Sequence, residues 1–236
     1  MAGVSLRSAL ETPDAGGSYD PKSPGAPLTI YATGIRNAYS CYWHSNGHLY
    51  VPTNGSSAGG NAPAGGAAPP IRDLSTAEDD WLFKIVPGKF CGHPNPAQGH
   101  FILNGANPTA GYDFAEVPQY PVGTKPDPDW VPAVYSFGKH VSSDGLTEYV
   151  GNAFGGKLNR RLLVCRYNVG SDIIALTLDA KGNVIGEQFG IPGMSELVNP
   201  LDITEDTRTG NLYVSEYGAM RVTLLRPVTN SLAKSE

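Results

Sequence analysis

Asn46-Gly47-His48-Leu49-Tyr50-Val51-Pro52-Thr53-Asn54-Gly55 recurs, in altered form, as Thr209-Gly210-Asn211-Leu212-Tyr213-Val214-Ser215-Glu216-Tyr217-Gly218. Each copy is a turn, a short apolar strand centred on Leu-Tyr-Val, and a glycine exit. A repeated strand unit of this kind is the sequence signature of a propeller or another radial β architecture. Working outward from the two copies, a first group of four strands is expected at 28–31, 38–43, 49–51 and 81–86. A second is expected at 133–137, 146–150, 162–167 and 173–178, and a third at 184–189, 201–204, 212–215 and 222–225. Lys181-Gly182-Asn183 and Arg208-Thr209-Gly210 carry the residue types of tight turns between them. The expected fold is all-β, a partial β-propeller of about three four-stranded blades. Residues 1–27 read as a lead-in or truncated remnant, 28–227 as the partial propeller and 228–236 as a flexible tail.

Closed propellers have about four to eight blades, and three leave apolar faces and raw strand edges uncovered. Such a chain is expected to be a fragment, to form a homodimer that completes the ring, or to be poorly stable alone. Two long connections interrupt the strand pattern. Gly55 to Pro70 is rich in Gly, Ala, Ser and Pro and nearly uncharged, the composition of a flexible segment unless it is tied down. Pro87 to Trp130 is dense in Gly, Pro, Asn and Tyr.

Composition narrows the function classes. The 236 residues include 29 Gly and 20 Pro, about a fifth of the chain against roughly an eighth in average usage, which suits many short strands with frequent punctuation. The net charge is −5 with no basic stripe, so a nucleic-acid partner is not expected. No stretch approaches the roughly 20 apolar residues of a membrane helix, and no secretory signal is visible at the N-terminus. Cys41, Cys91 and Cys165 are far apart and form no metal spacing, so they read as buried small hydrophobes.

One short run stands out chemically. Gly34-Ile35-Arg36-Asn37-Ala38 sets an arginine fork beside an amide at a strand entrance, a combination that suits a bound carboxylate or an arginine paired with a neighbouring acid. His44, His48, His93, His100 and His140 lie in turns and loops and read as structural or exposed, although His93 and His100 could join a metal site. Asp127, Asp129, Asp144, Glu205 and Asp206 read as solvated turn formers. Glu216 follows a repeat strand at an expected channel mouth.

The run Tyr31-Ala32-Thr33-Gly34-Ile35-Arg36-Asn37 resembles the Gly-x-Arg-Asn motif of the soluble quinoprotein glucose/sorbosone dehydrogenase family. In the same order, Asn46 to Val51 is similar to that family's next strand. Glu78 to Ile85 followed by Gly88-Lys89-Phe90-Cys91-Gly92-His93-Pro94 is similar to its acidic strand start and Gly-aromatic-x-Gly-x-Pro turn. Asn199-Pro200-Leu201-Asp202 with Gly210 to Val214 resembles the closing blade. The resemblance implies the C-terminal half of a six-bladed ring that binds pyrroloquinoline quinone (PQQ) and calcium and oxidises a sugar hydroxyl. A tricarboxylate quinone needs cationic donors, and calcium takes hard oxygen ligands.

Carried onto this chain, the resemblance makes Arg36 and Asn37 cofactor contacts, with Arg160 and Arg161 as further basic contacts. It makes Asp79, Asp80 and the loop carbonyl at Gly55 the calcium ligands. It implies a small sugar (aldose or sorbosone) as substrate and a periplasmic or extracellular location. The family's catalytic His belongs to a blade earlier than the Arg-Asn motif, and no residue before Gly34 is a His. No catalytic residue is therefore assigned. Two other readings stay open: a non-catalytic propeller module used for binding, and a calcium-dependent lactonase-like propeller that needs no quinone.

Overall fold

The strands alternate between runs that are apolar throughout and runs that are apolar at every second residue. The computed structural model describes residues 4–6, 20–26, 28–64, 70–75, 77–94, 99–100 and 127–227. In chain order the strands are β1 (Val4–Leu6), β2 (Leu28–Ile30), β3 (Tyr42–Trp43), β4 (Leu49–Thr53), β5 (Asp79–Ile85), β6 (Tyr135–Lys139) and β7 (Ser143–Tyr149). They continue with β8 (Arg161–Arg166), β9 (Asp172–Leu178), β10 (Val184–Gln188), β11 (Pro200–Asp206), β12 (Asn211–Glu216) and β13 (Arg221–Leu225). No helix occurs among the described residues, so none is long and apolar enough to cross a membrane.

Hydrogen bonding orders the strands as β1-β2, β3-β4-β5-β6, β10-β9-β8-β7 and β11-β12-β13, with antiparallel neighbours. The fold class is therefore as expected: all-β, built from four-stranded antiparallel sheets. The partition differs from the expected one by a strand. Residues 135–139 pair with β5 rather than opening the second sheet, and residues 184–188 pair with β9 as its last strand. The third sheet keeps three strands among the described residues. The long 87–130 connection caused the offset: it reads like a boundary, yet it joins two neighbours of one sheet. β2 likewise pairs with β1 rather than with the strands that follow it, which places a strand inside the expected lead-in.

The chain forms two compact units, residues 1–38 with 53–140, and residues 39–52 with 141–236. In the second unit, Leu162 to Cys165 of β8 and Ile173 to Leu176 of β9 are buried without alternation. Continuous apolar runs of this kind belong to strands covered on both faces. β10 alternates half-buried with exposed residues, as an outer strand should. The core gathers Leu163, Cys165, Ile173 and Ala175 with Ile203, Leu212 and Val214 of the third sheet.

Both expected turns form: Asp179 Oδ1 accepts from Lys181 N–H (2.9 Å) and Asn183 N–H (2.8 Å), and Gly210 N–H donates to Asp206 O (2.8 Å). In the first unit the core holds Ile35, Ile71, Leu82, Phe83 and Phe90. The described part of the 55–70 connection is tied down, because Ala62 and Ile71 exchange both backbone hydrogen bonds at 3.0 Å. The expected tail at 228–236 and most of the 87–130 connection lie outside the described residues.

Candidate functional site: the Arg36 loop

The approach to Arg36 is fixed by backbone pairing. Residues 31–34 run parallel to 88–93: Gly88 N–H donates to Tyr31 O (2.8 Å), Cys91 N–H to Thr33 O (2.8 Å) and His93 N–H to Gly34 O (2.9 Å). Gly34 sits at φ +75° with the Phe90 ring packed where a Cβ would be, so both its conformation and its contact require glycine. Ile35 is buried beside it, and the chain then delivers Arg36, partly buried, to the loop that leaves β4.

That loop closes on itself around the arginine. Arg36 Nη1 donates to Gly55 O (2.6 Å) and Nη2 to Ser57 Oγ (3.3 Å). Gly55 N–H donates to Asp80 Oδ1 (2.8 Å), and Asn54 Nδ2 donates to Asn37 O (3.1 Å). Glu78 N–H donates to Ser56 O (2.8 Å), and Gly60 N–H to Ser57 O (3.1 Å). Gly55 lies against the Asp79 carbonyl, which leaves no room for a side chain. The fold thus brings Arg36, Asn37, Gly55, Asp79 and Asp80 together in the first unit.

The electrostatics set Arg36 apart. Among the described residues it makes no ion pair, and its two hydrogen-bond partners, a carbonyl and a hydroxyl, are neutral. A guanidinium carries five N–H donors, and these two bonds use two of them. His93 stands next to this charge, its Nδ1 3.4 Å from Ser56 Oγ. Burial, and then the Arg36 charge, push its pKa down to about 4. His93 is neutral near pH 7, and the loop's positive charge rests on Arg36. A separate cavity of about 260 Å³ is lined by Tyr31, Thr33, Lys22, Lys89 and His100 among others. Lys89 is engaged there by Asp129 at 2.8 Å.

Arg160 and Arg161 belong to the second unit, and each has a partner there. Arg160 Nη1 donates to Glu148 Oε1 (3.0 Å), and Arg161 Nη1 to Gln188 Oε1 (2.5 Å). Glu148, only 2% exposed, also accepts from Ser45 N–H (2.7 Å) and Ser45 Oγ, with His44 Nε2 at 3.7 Å. Burial raises its pKa, but those donors outweigh burial and hold the carboxyl below its usual range. Glu205 repeats the device: its carboxylate accepts from Val150 N–H (2.7 Å) and Gly151 N–H (2.8 Å). The matching phrases Leu146-Thr147-Glu148 and Ile203-Thr204-Glu205 carry this repeat in the sequence. Glu205 is therefore no solvated turn former, contrary to the expectation from its Asp206-Thr207-Arg208-Thr209-Gly210 surroundings.

Asp144 is likewise buried and takes the Ser142 hydroxyl, so it too departs from the solvated expectation. Of the cysteines, Cys91 and Cys165 are buried as expected and Cys41 is exposed. Glu216 is buried and accepts from Val198 N–H (2.6 Å), Arg221 Nε (2.9 Å) and the Thr223 hydroxyl.

No family model matches the chain, and no curated protein does. Solved structures do. The chain is similar to a glucose dehydrogenase at 17% identity and TM-score 0.56, over 89% of this chain and 50% of that one. It is similar to the PQQ-bound form of aldose sugar dehydrogenase from Streptomyces coelicolor at 14% and 0.51, over 88% and 48%. It is similar to the holo form of the pyranose dehydrogenase PQQ domain from Coprinopsis cinerea at 16% and 0.51, over 86% and 56%. The chain shares the β-propeller fold of these structures. It spans about half the length of each of them.

PQQ and calcium fare differently against the residues present. A polycarboxylate fits a partly buried guanidinium that forms no ion pair among the described residues. Calcium fits poorly. The carbonyl oxygens of Gly55, Ser56 and Ser57 each accept a hydrogen bond within the protein. Asp79 and Asp80 are consecutive strand residues whose side chains leave on opposite faces: Asp79 takes the Ser136 hydroxyl (2.8 Å), and Asp80 the Gly55 N–H. Among the described residues no group of three His, Cys, Asp or Glu could hold a metal.

Proposed function

We propose that this chain is a PQQ-binding, sugar dehydrogenase-like propeller segment whose Arg36 and Asn37 hold a carboxylate of the quinone. The observation that carries the reading is the Arg36 guanidinium, held in place by neutral groups and left with donors to spare. When bound, the quinone supplies a two-electron acceptor for the carbon that bears a sugar hydroxyl. The chain's own contribution is orientation. The 31–34 and 88–93 ribbon sets the arginine, the Gly55 loop fixes its guanidinium plane, and Asn37 stands exposed beside it. Arg160 and Arg161 would have to leave Glu148 and Gln188 to serve as further contacts.

Oxidation of a sugar hydroxyl also needs a group to take the hydroxyl proton. His93 is the histidine that stands beside the Arg36 loop, and a pKa of about 4 makes it a weak base. This favours a second reading, quinone binding without turnover in the chain as it stands. The substrate class in the first reading is a small aldose, and the location is outside the cytoplasm, as in the dehydrogenases the sequence resembles. The self-association expected from a count of three blades gains no support from the comparisons and forms no part of the proposal.

Titration of the purified chain with PQQ, followed by dye reduction with aldoses, separates the outcomes. Saturable binding with turnover supports the dehydrogenase reading, binding without turnover supports the second, and absence of binding refutes both.

A further inference from the structure

We propose that Arg36 takes the place of a divalent cation in the 54–57 loop, so that an anionic ligand is held there without calcium. The inference rests on the reading of Arg36 as the anion-holding residue and adds what neutralises the loop. A turn of successive carbonyls beside acids is where a cation would be sought. Here the guanidinium already sits on the Gly55 oxygen at 2.6 Å and reaches the Ser57 hydroxyl. The Ser56 and Ser57 carbonyls each already accept one N–H, from Glu78 and Gly60, which leaves one lone pair apiece.

Calcium binds oxygen at about 2.3–2.6 Å and asks for six to eight such ligands. An ion at that distance from the Gly55 oxygen would stand against the guanidinium, with like charges facing each other. It would also find Asp80 turned to the Gly55 N–H and Asp79 turned to Ser136. The arginine supplies what the ion would, a fixed positive charge that orders the loop. Unlike the ion, it cannot dissociate, and it keeps N–H donors for a carboxylate.

The consequence is a ligand site indifferent to chelators. Two titrations of the purified chain test it. In the first, calcium chloride alone is added while melting temperature and heat of binding are followed. No saturable heat and no rise in melting temperature are expected at millimolar calcium. A calcium-dependent rise that Asp80→Asn removes would overturn the inference.

In the second, PQQ is titrated in EDTA and again in calcium. The dissociation constants are expected to agree within about threefold, and Arg36→Gln should weaken both by about tenfold or more. Binding that appears only with calcium would overturn the inference. Should Arg36→Gln melt early, Arg36→Lys keeps the charge while losing the two-pronged contact, and it should lie between the two. If PQQ binds in neither buffer, the quinone reading falls, and the calcium titration still decides whether the loop takes a cation.

Discussion

The exits of β4 and β12 are two versions of one phrase, and they treat charge in opposite ways. Both follow a Leu-Tyr-Val strand and end in a glycine pressed against its neighbours. Each faces an asparagine in the left-handed region, Asn37 at φ 47° and Asn199 at φ 50°. Both asparagine carbonyls accept from the exit: Asn37 O from the Asn54 side-chain amide (3.1 Å), and Asn199 O from Tyr217 N–H (3.0 Å). On this shared frame the β12 exit buries Glu216 and neutralises it completely, with Arg221, Thr223 and Val198 N–H. Burial pushes the Glu216 carboxyl up, and those partners outweigh it and hold it below its ordinary pKa. The β4 exit carries Arg36, where the other carries Val198, and gives it only neutral partners. A charge neutralised within the fold supports structure, and a charge left open supports binding.

The sharpest way to break this comparison is to remove both charges in turn. Glu216→Ala strips a buried carboxylate from three donors and should cost about 3 kcal/mol in urea unfolding. Arg36→Gln should cost about 1 kcal/mol, because the Ser57 hydroxyl is exposed and only the buried Gly55 carbonyl loses a neutral hydrogen bond. Equal losses would show that Arg36 is structural too. The two glycines come next. A Cβ at Gly55 meets the backbone carbonyl of Asp79, which cannot turn aside, and Gly55→Ala should cost about 2–3 kcal/mol. At Gly218 it meets the side chains of Asn199 and Val198, which can give, so Gly218→Ala should cost about half as much by the same measurement.

The Arg36 loop is also open to a test by pH. The folded state holds His93 at a pKa of about 4, against an ordinary value of 6.5. The unfolded chain therefore takes up its proton first. Stability is full above pH 6.5, declines as pH falls, and levels off near pH 4, a loss of about 2 kcal/mol after allowance for partial exposure. His93→Gln should flatten unfolding free energies measured across that window, and an unchanged slope would place the dependence elsewhere. Tyr149→Phe loses the hydroxyl's bond to Gly210 O (2.8 Å) and the one it accepts from Ala153 N–H (3.2 Å), and should cost about 1 kcal/mol in the same unfolding assay.

Strand positions were legible because turn residues and apolar cores recur at short spacing, and all of β4, β5, β8, β9, β12 and β13 fall where the pattern puts them. The partition was not legible. Hydrogen-bonded neighbours need not be close in sequence, and β5 and β6 are partners across a long connection. Within the site, Arg36 and Asn37 were legible in the Gly34–Ala38 run, whereas Gly55, Asp79 and Asp80 were named only through the family resemblance; all five lie in the first unit. Their bonding was not readable, because it depends on which oxygen the guanidinium meets. His93 reads in the sequence as structural or exposed, or as half of a metal pair with His100, because a histidine in a Gly/Pro-rich loop carries no sign of the arginine beside it. Arg160 and Arg161 looked like free cations because Glu148 and Gln188 lie 12 and 27 residues away from them.

The open charge at Arg36 is tested most directly by calorimetric titration of PQQ into the chain and into Arg36→Gln under the same buffer. The account predicts one saturable site in the chain and affinity weakened by about tenfold or more in the variant. Equal affinity in both proteins, or no binding to either, would contradict it.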